Sequence, residues 1–234
     1  MIGLRDCHES CIVHRDIQPD NILVQIESDD SSIKISDFGV SEIAKTDDSL
    51  KSLIRASNFI APEIISGRPY GKPVDVWSCG VLMYTIIGGY SPFFADKVID
   101  LCRKIVAGDV EHDPQYWRHV SREAKDLIRR MLTVNPSRRI TINEALEHPW
   151  FRIPSMVLSQ NDLSLNLKEL KKHIIRRRFR TAVKTIVGVN KLFNGMKTSF
   201  GGSNKQQASR AATSPLSSNN SSPDGQKTKK SSRR

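Results

Sequence analysis

Three short runs follow one another in fixed order: His14-Arg15-Asp16-Ile17-Gln18-Pro19-Asp20-Asn21, then Asp37-Phe38-Gly39, then Ala61-Pro62-Glu63. Taken singly, each is weak, because an Asp or Asn in a loop is usually a turn or capping residue. Their order and spacing together are not a chance pattern. The stretch from Asp37 to Glu63 has little hydrophobic periodicity, as expected of a functional loop. Directly beyond it, Pro73 opens a strongly apolar segment, Val74–Ile87, which stops at Gly88-Gly89. That segment is apolar on nearly all sides, so it should be a central helix and not a surface one.

Further amphipathic helices are expected at about Lys97–Ala107, Ser121–Met131 and Thr141–Glu147, with His148-Pro149-Trp150-Phe151 closing the domain. Met1–Glu9 reads as the last turns of a helix, and Asn21–Gln25 and Ile33–Ile35 as short β-runs around an acidic turn. No run of 18 apolar residues exists, and no basic stretch leads into an apolar core at the N-terminus, so neither a transmembrane helix nor a signal peptide is expected. Cys7, Cys11, Cys79 and Cys102 form no Cys-x-x-Cys pair and read as reduced thiols of a cytosolic protein.

The net charge of +11 is unevenly spread. Residues 1–167 carry 19 Lys/Arg and 23 Asp/Glu, whereas residues 168–184 carry eight Lys/Arg and one Glu. The high pI therefore belongs to C-terminal segments and does not mark a nucleic-acid-binding domain; it points to anionic partners of those segments. Residues 152–164 read as a linker and Leu165–Val187 as one long basic amphipathic helix. From about Gly201 the chain is Ser, Asn, Gly, Gln, Lys and Arg with little that is apolar, and is expected to be disordered.

The three runs resemble the catalytic loop, the metal-binding loop and the end of the activation segment of a Ser/Thr protein kinase. The resemblance covers the C-terminal lobe. It implies a mainly α fold, a helical bundle with short β-hairpins, over residues 1–151. A linker (152–164), a basic helix (165–190) and a disordered tail (201–234) follow. By resemblance Asp16 accepts the substrate hydroxyl proton, and Arg15 faces any phosphate on the activation segment. Asn21 and Asp37 hold the Mg2+ ions that bridge the ATP phosphates, and Leu23 floors the adenine site. His14, Phe38 and Gly39 complete these motifs. In Pro73-Val74-Asp75-Val76-Trp77, Asp75 is implied to hydrogen-bond the catalytic-loop backbone, and Arg139 to be the buried partner of Glu63.

Two departures fall inside the site. The family has a Lys where this chain has Gln18, and a Thr where it has Ala56. That Lys places positive charge near the transferring phosphate, and the Thr hydroxyl ties it to the catalytic Asp. Ser57 stands one place along as a substitute. No Gly-rich loop, strand Lys or hinge precedes His14 in this sequence. The expectation is of a truncated form that is a poor kinase, doubtful in ATP binding and marginally stable. The alternative is an active kinase whose N-lobe lies in a longer gene product.

The basic helix resembles the autoinhibitory and calmodulin-binding helix of calcium/calmodulin-dependent kinases. Lys171 to Ala182 echoes their pattern, with Phe179 as first anchor and Val183 and Val187 on the same face among Arg176, Arg177 and Arg178. Calmodulin is thus the implied partner, with an anionic membrane surface and simple docking onto the lobe as open alternatives. Around Tyr70–Trp77 and Trp117–Leu132 the resemblance is nearest to the CASK-like branch. In that branch the domain works mainly by binding proteins, in the cytoplasm and at the plasma membrane. That branch lacks ordinary metal ligands, whereas Asn21 and Asp37 are both present here.

Overall fold

The computed structural model describes residues 1–24, 33–46, 48–51 and 57–176. In chain order the elements are α1 (Ile2–Glu9), β1 (Ile12–Val13), β2 (Ile22–Val24), β3 (Ile33–Ile35), β4 (Glu42–Ile43) and α2 (Pro62–Ile65). They continue with α3 (Pro73–Gly88), α4 (Val98–Ala107), α5 (Pro114–Trp117), α6 (Arg122–Met131), α7 (Ile142–Leu146) and α8 (Ser155–Leu158). Residues 164–176 are again helical. The architecture is the mainly helical lobe expected, with two antiparallel two-stranded ladders, β1–β4 and β2–β3.

Helix α3 is the axis of the lobe. Pro73 begins it and Gly89, at φ 85°, ends it in the left-handed conformation that favours glycine. Val74, Val76, Trp77, Val81 and Tyr84 are all buried, and they lie around the helix and not on one stripe. Trp77 stacks on Phe93 at 5.6 Å. Gly80 lets α6 come close: a Cβ there would stand 2.8 Å from the Cβ of Met131. Helix α6 answers with Ala124, Leu127, Ile128 and Met131 buried and its charged residues outward. The Ser121 side chain caps it by accepting from the Ala124 amide, and a capping box between Thr141 and Glu144 starts α7.

The four cysteines are free. Cys79 is partly buried against the core, and desolvation pushes its thiol up to about 12, so it is not a nucleophile.

The helix over 164–176 is rooted on this lobe through Asn166. Its Nδ2 donates to the carbonyls of Ile87 (2.8 Å) and Tyr116 (2.7 Å), one in the last turn of α3 and one in α5. Both are helix-end carbonyls that lack intrahelical partners, so one buried amide satisfies two orphans. Gly89 makes room, because a Cβ there would stand 2.5 Å from the Asn166 carbonyl oxygen. Replacing Asn166 by Ala is expected to cost about 1–3 kcal/mol, since it strands two partly buried acceptors. A lowered urea midpoint checks this, and an unchanged one would mean that the contact contributes no stability.

Candidate functional site

The two β-ladders bring the first two sequence runs together. In β1–β4, Val13 lies opposite Glu42; in β2–β3, Ile22 lies opposite Ile35. The segment 14–21 therefore leaves β1 and enters β2, while the segment 36–41 runs between the partner strands. Ser36 seals the junction, with its amide donating to the Asn21 carbonyl at 2.9 Å. Asn21 and Asp37 are thus carried by adjoining stretches of backbone, and a 3-10 turn over Pro19–Asn21 buries Asn21.

Beneath the loop lies Asp75, a fully buried carboxylate on α3. It accepts from the amides of His14 (2.8 Å) and Arg15 (2.7 Å), and its Oδ2 lies 3.0 Å from His8 Nε2 on α1. Both orphan amides of a tight loop are satisfied by one side chain. Arg15 sits at φ 69° and Asp37 at φ 63°, a region uncommon for non-glycine residues, and for Arg in particular. The His14 ring meets Phe38 edge-on at 4.8 Å, and its Nε2 lies 3.1 Å from the Ser36 carbonyl.

Around Asp16 the polar groups are closely linked. Gln18 Nε2 donates to both carboxylate oxygens, each at 2.9 Å, and Asn21 Nδ2 donates to Oδ2 at 2.8 Å and to the Asp16 carbonyl at 2.8 Å. Asn21 therefore turns its amide nitrogen to Asp16 and keeps Oδ1 as an acceptor. Asp37 Oδ1 takes the Gly39 amide at 3.2 Å, and a Cβ at Gly39 would press on that oxygen at 3.0 Å. The donors on offer, an amide oxygen and a carboxylate, are hard oxygens that suit Mg2+. Leu23 is exposed on β2.

Arg15 is engaged within the chain. Its guanidinium donates to the Glu42 carboxylate, the Val40 carbonyl and the Tyr70 hydroxyl. Neither Glu42 nor Tyr70 was expected as a partner of Arg15; only the pairing of β4 beside β1 places Glu42 within reach of the residue after His14. The third run is anchored separately. Glu63 makes a paired contact with Arg139, Nη1 to Oε1 at 2.7 Å and Nη2 to Oε2 at 2.9 Å, with both side chains buried.

Ala56 lies outside the described residues. So do Arg177, Arg178, Phe179, Val183 and Val187 of the basic helix. Arg176 is described and exposed, with Nη1 3.6 Å from Glu169 Oε1. No group of three or more His, Cys, Asp or Glu side chains among the described residues is set to hold a metal ion.

The family model "Protein kinase domain" matches residues 1–151. A curated relative, the calcium/calmodulin-dependent protein kinase type II subunit delta of Oryctolagus cuniculus, is 36% identical over 197 residues. The match takes in 84% of this chain and 37% of the relative, so the chain spans little more than a third of that protein's length.

Proposed function

This chain belongs to the protein kinase domain family, and from that membership we propose a Ser/Thr kinase lobe of the calcium/calmodulin-dependent type with weak phosphoryl transfer, working mainly by binding proteins. The observation that carries the reading is the Gln18 amide seated on both oxygens of Asp16. Phosphoryl transfer depends on positioning and on neutralising charge at the phosphate. An amide positions Asp16 but brings no positive charge. A missing electrostatic donor of this kind costs about 2.7–4 kcal/mol in the transition state.

The rest of the constellation would act in the ordinary way. Bound Mg2+ and ATP would supply the electrophilic phosphoryl group, with Asn21 Oδ1 and Asp37 as protein donors to the metal. Asp16 would orient the substrate hydroxyl and take its proton. Asp75 fixes the backbone on which Asp16 stands.

Calmodulin is the proposed regulator. The support is the relative's printed name and the basic run Arg176 to Arg180 with its apolar anchors. An anionic membrane surface would engage the same basic face, and the localisation proposed is cytoplasmic, peripheral at the plasma membrane. A second reading, a fully active kinase acting with an N-lobe from a longer product, is favoured by one fact: Asp16, Asn21 and Asp37 are all retained.

The test is phosphate transfer from labelled ATP to a basic peptide with calcium and calmodulin, comparing the chain with Asp16→Asn. The expected result is slow transfer, far below the roughly 1–100 per second of ordinary kinases, that disappears in the variant. Turnover inside that range would overturn the weak-transfer reading and favour the second.

A further inference from the structure

A groove of about 830 Å3 lies on the lobe between the stretch after α4 and the outward face of α6. Its floor is apolar and continuous with the core, formed by Val110, Trp117, Ile128 and Leu132. His112 covers the edge of the Trp117 ring at 4.4 Å. Burial, and secondarily Lys125, hold His112 below the usual imidazole range, so it is neutral near pH 7 and adds contact area and not charge.

The wall is cationic. Arg122, Lys125 and Arg129 recur at three- and four-residue spacing along α6 and so share one face, and Arg118 precedes them at the same groove. The one carboxylate lining the groove, Asp126, is already committed. It accepts from Arg129 and Arg130 and lies 3.2 Å from His148 Nε2, and the Arg129 hydrogen bond leads in holding its carboxyl well below the usual range. Arg122 and Lys125 have no hydrogen-bond or ion-pair partner among the described residues.

Charge selects the occupant. Residues 168–234 carry 17 Lys/Arg and two Asp/Glu, so the chain's own C-terminal segments do not have the composition of an acidic occupant. Residues 1–167 are net acidic, so a cationic wall here runs against the average of the lobe. We infer that the groove docks an acidic segment of a partner protein, with a bulky apolar residue on the Trp117–Ile128 floor and carboxylates against Arg122 and Lys125. Apolar anchoring supplies affinity, and the two unpaired cations supply specificity and speed of encounter. The groove's lining includes none of Asp16, Asn21 and Asp37, so this docking stands or falls independently of phosphoryl transfer.

The test is fluorescence anisotropy of a labelled acidic peptide with a central Leu-Phe pair, titrated with the full chain in about 0.1 M salt. The double variant R122E/K125E should weaken binding about tenfold or more, and Gly-Gly in place of Leu-Phe should weaken it similarly. The variant K168E/K171E, on the basic helix, should change it less than about twofold. Circular dichroism shows that each variant is folded. Equal binding by R122E/K125E would overturn the assignment, as would a loss that follows K168E/K171E instead. Self-association of the unaltered chain that R122E/K125E abolishes would give the groove to a second copy and also overturn it.

Discussion

Replacing Arg139 by Ala is expected to destabilise the lobe by about 3–5 kcal/mol, the cost of breaking a buried ion pair by removing one partner. The reason is the completeness of its environment. All five guanidinium N–H groups are used: two on Glu63, and the others on the carbonyls of Thr133, Pro73 and Val134. The group also stands 5.0 Å over the Trp77 ring. Truncation leaves the Glu63 carboxylate buried and unpaired, and strands three carbonyls as well. Whole domains are stable by only about 5–15 kcal/mol, so this loss is a large share of the total. Urea unfolding followed by circular dichroism measures it. The double variant E63A/R139A should lose less than the sum of the single variants, because the second change removes the uncompensated charge. A shift under about 1 kcal/mol for R139A would mean that water reaches the pair and screens it.

The second large effect runs the other way. Gln18→Lys should raise phosphate transfer by about 100-fold or more, by restoring the positive charge that an amide cannot supply. Gln18 already sits within 2.9 Å of both Asp16 oxygens, so a lysine needs no new backbone to approach the same point. The gain should appear mainly in kcat, since the charge matters most where charge develops. Adding Asp16→Asn to Gln18→Lys should abolish it. Unchanged or lower transfer in Q18K would show that Gln18 is not the limiting lesion, and would turn attention to Ala56.

The regular elements were legible because each has a local cause. Pro73 and Gly88-Gly89 bracket α3, and Ser121 with a 3.6-residue apolar period announces α6; the structure places both within a residue or so of expectation. The four-residue helices α2, α5 and α8 carry too few residues for a period, and β1 and β4 are two residues each. Such elements exist because tertiary neighbours complete them. The site divides the same way. Asp16, Asn21 and Asp37 are visible as spaced motif residues. The Glu63–Arg139 pair spans 76 residues of sequence, and no periodicity links its halves; only the family resemblance suggested it. The Glu42 contact to Arg15 and the double anchor at Asn166 carry no such signal, since both depend on which backbone lies alongside.

Asp75 has a kinetic consequence. Because its carboxylate holds the amides of His14 and Arg15 from inside the central helix, those two hydrogens cannot meet solvent through fraying of the loop alone. Loops normally open at little free-energy cost, and their amides exchange in the fastest class. Here the loop that carries Asp16 shares its opening event with α3 and, through His8, with α1. The backbone beneath Asp16 is therefore tied to the core, and Asp16 keeps its place for as long as the core keeps its fold.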